Sequence, residues 1–250
     1  RSWMSTTLVL LFCQPSACAL SGPNARWIHY GDSRLPPLVE VVGDPCLPLE
    51  RIVRPPDCET LYEWSVEQGM SDIDPSWACI WPAAAALAHL LKQSPALVRS
   101  KSVVELGSGL GVAALTAAKS GATDVTLVDR EPIALHCAMA TASLCGMPTA
   151  AVGAIGPPGS VRAAMLPWAS AAAVLPPATL VIGSEILYDP RDTGSLVRCA
   201  ATLLRGGGTL LIADPVRERV TGCRASLAAA LAKEGGVAIS ETALAAAPTS

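Results

Sequence analysis

The feature that most constrains the fold of this chain is a glycine-rich turn between an apolar run and a helix-forming run. Residues 103–111 read VVELGSGLG, and residues 112–119 continue without glycine or proline. Glycine adopts backbone conformations with positive φ and lets a ligand lie against bare backbone. The first turn of the following helix presents unpaired N–H groups to that ligand. The pattern therefore predicts a strand, a ligand-binding turn and a helix.

The spacing of the glycines leaves a dinucleotide-binding turn open. The strict G-x-G-x-x-G pattern fails because Val112 occupies the place of the third glycine. A frame shifted to Gly109, Gly111 and Ala114 fits the looser form that ends in alanine. That form places a pyrophosphate at the N-terminus of the helix. A dehydrogenase therefore remains one interpretation of the turn.

Two carboxylates favour a different nucleotide. Glu105 ends the apolar run, where it would repel the phosphates of a dinucleotide and would suit a ligand with an amino group and a sulfonium. S-adenosylmethionine is such a ligand. Asp129 ends a second apolar run about twenty residues further on, where an acid accepts hydrogen bonds from ribose hydroxyls. The two acids and the glycines together predict a site for S-adenosylmethionine.

Strand-like and helix-like segments alternate through most of the chain. Residues 156–177 form a connection rich in proline and alanine. Alternation of this kind predicts an α/β fold with a doubly wound, mostly parallel sheet. We expect strands at 102–106, 125–129, 150–154, 179–183, 209–213 and 237–241, and helices at 81–93, 111–120, 132–145, 193–204 and 219–234.

Composition divides the chain into three parts. Residues 1–24 contain a short apolar run followed by small residues, which suggests a targeting or disordered segment and a cytoplasmic or organellar protein. Residues 25–75 are rich in proline and turn residues and are expected to form an irregular N-terminal extension, with short strands at 38–42 and 50–54. Residues 76–250 are expected to form the S-adenosylmethionine-binding domain.

The end of that domain carries a further expectation. The glycine-rich turn and the two acids above resemble those of the seven-strand methyltransferases, and this resemblance implies a sheet that closes with an antiparallel hairpin, but only residues 242–250 follow the last expected strand. They contain a proline and a run of alanines, neither of which favours a strand. We therefore expect the last strand to lack a complete antiparallel partner, which would leave an edge open to other chains.

Charge and composition argue against three kinds of partner. The net charge is −3 and no run of lysine or arginine occurs, so we expect no nucleic acid as a partner. The apolar run at 8–13 is too short to cross a bilayer, so we expect no stable membrane insertion. The nine cysteines include no C-x-x-C pair and the three histidines are isolated in the sequence, so we expect no metal site.

With these residues in place, the chain resembles the class I, seven-strand methyltransferases. The resemblance implies a Rossmann-like fold and S-adenosylmethionine as the cofactor. Ser108, between two of the glycines, is expected to contribute to the same site. The first motif of that class and the acid after its second strand are matched here by Glu105, Gly107, Gly109, Gly111 and Asp129.

A second motif narrows the resemblance to the protein lysine methyltransferases of this class. Residues 184–190 read SEILYDP and come directly after the expected fourth strand. The family carries an acid-x-x-Tyr motif at this strand end, matched by Glu185 and Tyr188, and a Trp-Pro helix start, matched by Trp81 and Pro82. We expect Glu185 to hold the incoming amine and Tyr188 to orient it, as catalytic residues.

The resemblance covers roughly residues 38–241. Residues 51–57 and 214–231 look like the branch that contains the electron-transfer-flavoprotein lysine methyltransferases and their nicotinamide-N-methyltransferase-like relatives. The family implies a protein substrate with a target lysine. Two other functions stay open, namely a non-catalytic binding module with the same fold and methylation of a small amine.

Two tryptophans and a serine complete the expected cofactor site. Trp81 and Trp168 are expected to form the wall against the adenine ring, because large aromatic faces stack on planar rings. Ser184 ends the strand that precedes the SEILYDP motif. The family usually has an acid or amide that binds the adenine amine just before the second tryptophan, but Pro167 stands there. Adenine recognition is therefore expected to depend on stacking and on backbone groups.

Overall fold

The computed structural model is an α/β fold built on a seven-stranded sheet, and it describes residues 6–12, 26–28, 39–70, 72–150, 154, 156–215, 222–234 and 237–243. None of the helices in these ranges is long and apolar enough to cross a bilayer. The strands are β1 (Thr6–Phe12), β2 (Arg26–Ile28), β3 (Val39–Val42), β4 (Ile52–Arg54), β5 (Ser102–Leu106), β6 (Asp124–Asp129), β7 (Ser160–Met165), β8 (Leu180–Ser184), β9 (Gly208–Ala213) and β10 (Val237–Ala243). The helices are α1 (Cys58–Glu67), α2 (Pro82–Gln93), α3 (Val112–Lys119), α4 (Pro132–Leu144), α5 (Trp168–Val174), α6 (Thr193–Leu203) and α7 (Cys223–Glu234).

The large sheet is parallel throughout and is covered on both faces. Its strand order is β10-β1-β9-β8-β5-β6-β7. Val103 and Val125 pack with α2, α3 and α4 on one face, whereas Val104 and Val128 pack with α5, α6 and α7 on the other. This two-sided burial confirms the predicted doubly wound fold. A separate antiparallel sheet, β2-β3-β4, lies within the N-terminal extension.

Most of the predicted elements lie where the sequence pattern places them. β5 has the predicted bounds, and α2, α3, α4 and α6 each begin and end within one residue of the prediction. The clearest of these is α2, which begins with a proline at its first position, where the missing N–H group costs no hydrogen bond. The core strands and their helices were therefore predictable from local pattern.

The prediction of the third strand of the large sheet was wrong. It was expected at 150–154, but the strand beside β6 is β7, Ser160–Met165. Ala150 and Ala154 lie in no strand, and residues 151–153 are outside the described part of the chain. The sequence of β7, SVRAAM, lacks the run of β-branched and aromatic residues that marks a strand.

Residues 156–177, expected as a connection, also contain regular structure. They include β7 and the helix α5. Within β7 the side chain of Arg162 is buried, because its guanidinium donates a hydrogen bond to the carboxylate of Asp124 on β6 at 2.9 Å. A buried arginine at the centre of a short strand hides the apolar pattern on which the prediction depended.

One strand of the large sheet comes from the segment at 1–24 that was predicted to be a targeting or disordered segment. In the structure, Thr6–Phe12 forms β1, which lies between β9 and β10 and runs parallel to both. β10 is at the edge of the sheet, and none of the described strands runs antiparallel to it. Residues 244–250 lie outside the described part of the chain.

Candidate functional site

A cavity lies at the carboxyl ends of β5, β6 and β8, where the ligand crevice of an open parallel sheet is expected. Its volume is about 470 Å³, within the usual size of a small-molecule site. The structure brings every residue predicted for cofactor binding or catalysis to this one cavity, although they come from widely separated stretches of the chain. They are Trp81, Glu105, Gly107, Ser108, Gly109, Gly111, Asp129, Trp168, Ser184, Glu185 and Tyr188.

Glu105 holds the first turn of α3 from within the sheet. It is 1% exposed, and its Oε2 accepts a hydrogen bond from the backbone N–H of Ala114 at 3.0 Å. A helix start leaves such N–H groups unpaired. Burial raises the pKa of Glu105 to about 8, although the hydrogen bond from Ala114 acts in the opposite direction. A positive charge in the cavity would favour the ionised carboxylate.

Asp129 fixes the glycine-rich turn from the neighbouring strand. Its Oδ2 accepts a hydrogen bond from the backbone N–H of Gly109 at 2.7 Å, and its Oδ1 accepts one from Glu131 at 3.0 Å. Burial raises the pKa of Asp129, and the backbone hydrogen bonds oppose that shift. Each carboxylate oxygen has two lone pairs, so these bonds leave capacity to accept hydrogen bonds from hydroxyl groups of a ligand.

The hydroxyl of Ser108 is buried against the cavity. The residue is 8% exposed, and its Oγ has no hydrogen-bond partner within the described part of the chain. Its backbone N–H is satisfied, because it donates to the carbonyl of Val128 at 3.0 Å. A buried polar group without a partner is destabilising. A polar ligand atom in the cavity would remove that penalty.

Glu185 lies in the turn after β8 in an uncommon backbone conformation. Its φ is 58°, in the left-handed region that residues with side chains seldom adopt. Its carboxylate is buried, and Oε1 accepts a hydrogen bond from the N–H of Ala83, in the first turn of α2, at 3.1 Å. Its own N–H donates to the carbonyl of Ala213 at the end of β9. Backbone strain of this kind tends to occur at functional sites.

Among the described residues, four aromatic side chains line the cavity, namely Trp77, Trp81, Trp168 and Tyr188. Tyr188 is half exposed, and burial raises the pKa of its hydroxyl. Trp81 precedes α2, and its indole N–H donates to the carbonyl of Ser76 at 3.0 Å. Trp168 begins α5, and a methyl group added to Gly107 would lie 3.5 Å from its ring. Trp81 and Trp168 are 87 positions apart in the sequence, and the fold brings both to the same cavity.

Several charged groups of the cavity were missed by sequence reasoning. Arg130 forms ion pairs at 3.5 Å with both Asp74 and Glu131. Arg130 and Glu131 directly follow the strand-ending Asp129, and that position could have indicated them, whereas no pattern marks Asp74. The charged residues that line the cavity are six carboxylates and one guanidinium, namely Asp74, Glu105, Asp129, Glu131, Glu185, Asp192 and Arg130.

The fold and the cavity define a doubly wound α/β protein with an acidic small-molecule site at its strand ends. A family profile described as lysine methyltransferase matches residues 66–222. This stretch is more than half of the chain and contains every residue predicted for the site. The chain therefore belongs to the lysine methyltransferase family.

Similarity to individual proteins covers shorter stretches. The chain is 49% identical over 61 residues to the electron transfer flavoprotein beta subunit lysine methyltransferase of Mus musculus, which covers 24% of each protein. It is 29% identical over 129 residues to a histone-arginine methyltransferase of Rattus norvegicus, covering 50% of this chain and 53% of the relative. A ribosomal protein L11 methylase from Lactobacillus delbrueckii subsp. bulgaricus has a TM-score of 0.43 and 22% identity, over 58% of this chain and 66% of that chain. The chain matches only about a quarter of the length of the mouse, rat and human electron transfer flavoprotein beta subunit lysine methyltransferases.

Proposed function

We propose that the protein is an S-adenosylmethionine-dependent N-methyltransferase that methylates a lysine side chain of another protein. The observation that carries this proposal is the charge of the cavity, where six carboxylates accompany one guanidinium. Such a lining attracts a cationic cofactor and a cationic acceptor and repels the pyrophosphate of a dinucleotide. Membership of the lysine methyltransferase family agrees with it.

The residues present fit S-adenosylmethionine. This cofactor supplies a methyl group on a positively charged sulfur. Asp129 would accept hydrogen bonds from its ribose hydroxyls, and the hydroxyl of Ser108 would gain the polar partner that it lacks. Trp81 and Trp168 would flank the adenine ring, and the positive charge of the cofactor would favour the ionised form of the buried Glu105.

Glu185 and Tyr188 would position the acceptor lysine. Both lie in the turn after β8 and line the cavity. A lysine must lose its proton before its nitrogen can accept a methyl group, and moving it from water into the cavity lowers its pKa. The carboxylate of Glu185 would accept a hydrogen bond from the amine, and Tyr188 would limit its direction of approach. Holding two reactants in line in this way supplies much of the rate of a group transfer.

Isothermal titration tests the cofactor. We expect S-adenosylmethionine to bind and NAD to give no heat of binding. Binding of NAD without binding of S-adenosylmethionine would overturn the proposal and favour the dehydrogenase that the shifted glycine frame leaves open.

Incubation with tritium-labelled S-adenosylmethionine and a cell lysate tests the acceptor. We expect the label on protein, and we expect acid hydrolysis of that protein to release methyl-lysine. Release of methyl-arginine would instead identify arginine as the acceptor, as the name of the rat relative states for that protein. Label on small molecules alone would indicate a small-amine acceptor, and binding without any transfer would indicate a non-catalytic module.

A further inference from the structure

Two cysteine sulfurs lie in contact beside the candidate site. The Sγ atoms of Cys58 and Cys79 are 2.8 Å apart, although the residues are 21 positions apart in the sequence. Both are free thiols in this structure, with Cys79 exposed and Cys58 partly buried. A disulfide bond is about 2.05 Å long, so the two sulfurs need to approach by less than about 1 Å to form one.

One of the two cysteines belongs to the cavity. Cys79 follows the 3-10 turn Pro75–Ala78 and lines the cavity together with Ser76 and Trp81. The carbonyl of Ser76 accepts hydrogen bonds from the N–H of Cys79 at 3.2 Å and from the indole of Trp81 at 3.0 Å. We call residues 74–81 the tryptophan wall. Cys58 is the first residue of α1, which lies outside that wall.

We propose that Cys58 and Cys79 are a modification site, which a peroxide converts to a disulfide that fastens the tryptophan wall to α1. Because Cys79 belongs to the tryptophan wall and lines the cavity, an oxidant in solution would act on the position of that wall. The bond closes a loop that contains the whole of α1 and the whole 3-10 turn.

The chemistry balances with hydrogen peroxide as the oxidant. The thiolate of Cys79 attacks one peroxide oxygen, the O–O bond breaks, and the hydroxide that leaves takes up the proton released by Cys79 to form water. The sulfur of Cys58 then attacks the resulting sulfenic acid, the S–S bond forms, and the S–O oxygen leaves as a second water with the proton of Cys58. The two thiols lose two electrons and two protons, and the peroxide gains them.

The surroundings of the two thiols indicate which of them reacts with the peroxide first. Burial raises the pKa of Cys58 to about 12, and the hydrogen bond with Cys79 adds to that shift. Cys58 therefore remains a thiol at neutral pH. The exposed Cys79 is the sulfur that a peroxide in solution reaches.

Peptide mapping of the full chain tests the bond. The reduced protein is treated with hydrogen peroxide, and we expect a loss of about 2 Da, the mass of two hydrogen atoms. Trypsin leaves both cysteines in one peptide because no lysine or arginine lies between Arg54 and Lys92. Cleavage after Glu67 with a glutamate-specific protease separates them, so that a disulfide is seen as two linked peptides.

Thermal unfolding tests the fastening. A cross-link restricts the unfolded chain, and for a loop of this length the melting temperature is expected to rise by roughly 5–10 °C on oxidation. We expect Cys58→Ser and Cys79→Ser each to abolish the linked peptides and the rise. Cys145→Ser is the matched control, because Cys145 is also partly exposed but its thiol contacts the backbone of Arg51.

With the unsubstituted chain, three results would overturn the proposal: no linked peptide, a peroxide-induced link from Cys79 to a different cysteine, or a Cys58–Cys79 link without a rise in melting temperature. A rise that persists in Cys58→Ser would do the same. None of these measurements needs a cofactor or an acceptor, so a failure of the proposed function would leave their outcome unchanged.

Discussion

Two turns lie side by side at the carboxyl ends of neighbouring strands, one after β5 and one after β8, and they are built in different ways. The turn after β5 contains Gly107, Gly109 and Gly111, all with positive φ, and the acids that hold it lie outside it. The turn after β8 contains its own acid, Glu185, which carries a full side chain in the same left-handed region. The first turn therefore exposes backbone to the cavity, and the second presents a carboxylate.

Under the proposed function, the two turns would serve two different ligands. Beside each turn a buried carboxylate accepts a hydrogen bond from a helix start: Glu105, at the end of β5, from α3, and Glu185, in the turn after β8, from α2. Bare backbone suits a bound nucleotide, which lies flat against it. A buried carboxylate on a strained backbone suits a group that must be held in one direction. The two turns meet at Gly107, where an added Cβ would lie 2.7 Å from Cγ2 of Ile186.

The largest expected effect comes from Gly107→Ala, which forces the two turns apart. The new methyl group would press on Ile186, and φ of +65° is unfavourable for alanine. We expect a loss of about 2–4 kcal/mol in the free energy of unfolding, measured by urea denaturation. Gly146→Ala is the matched control, because its φ is +71° but no described atom lies within 4 Å of the added methyl. Equal losses in the two variants would show that the turns are independent.

Asp129→Ala removes the carboxylate that fixes the turn after β5. We expect S-adenosylmethionine binding to weaken by about 1.5–3 kcal/mol, because hydrogen bonds to a charged group are lost from both the ribose and Gly109. Titration calorimetry measures the change, and Asp129→Asn, which keeps one acceptor oxygen, should lose less. An unchanged dissociation constant for the alanine variant would exclude the ribose assignment.

Glu185→Gln tests the turn after β8 alone. Glutamine retains an oxygen for the N–H of Ala83 but loses the charge that would hold the acceptor. We expect methyl transfer to fall about tenfold, or about 1.4 kcal/mol in the barrier, while the cofactor dissociation constant stays nearly unchanged. Single-turnover assays and calorimetry on the same preparation separate the two quantities. If binding and transfer decline together, Glu185 is a structural residue.

Ser108→Ala is expected to have a smaller effect, confined to the turn after β5. The hydroxyl has no partner in the described structure, so its removal should leave the melting temperature of the ligand-free protein unchanged or slightly raised. Cofactor affinity should decline by about 0.5–1.5 kcal/mol, the contribution of one hydrogen bond. Ser170→Ala, on the exposed side of α5, serves as the control and should change neither quantity.

A last expected effect, different in kind from these substitutions, is a dependence on pH that originates in Glu105. Its pKa is about 8 in the folded protein and near 4.5 in the unfolded chain, so the folded state binds the extra proton between these values. The stability due to Glu105 is complete below pH 4.5 and is lost as the pH rises to about 8. A bound cation favours the ionised form, so S-adenosylmethionine affinity should rise over the same range, by at most about tenfold per pH unit.

Melting curves and titrations from pH 5 to pH 8 measure both trends. Glu105→Gln, which cannot ionise but keeps an acceptor for Ala114, should flatten them. A slope that is retained in this variant would assign the pH dependence to another group, of which Asp129 is the nearest candidate because burial also raises its pKa.

The sequence predicts most strands of the large sheet and the residues that meet at the cavity, but it does not predict β1 or β7. Glu105 and Asp129 stand at strand ends beside glycines or a helix start, so a local pattern reveals where they gather. The hydrogen bond from Ala83 to Glu185 joins distant segments, and no spacing rule indicates it. β7 was missed because its apolar pattern is interrupted by Arg162, whose partner Asp124 lies on another strand.

The position of β1 in the sheet has a consequence for the order of assembly. Thr6 lies opposite Gly208 of β9 and Val237 of β10, so β1 is synthesised long before the two strands with which it pairs. Contacts between such distant parts of a chain pay the largest loop-closure entropy and slow folding. Of the strands that surround the cavity, β5 pairs with both β6 and β8, and these three strands can associate during synthesis of the chain. The cavity half of the sheet is thus free to form early, and the half that contains β1 closes only after β9 and β10 have been synthesised.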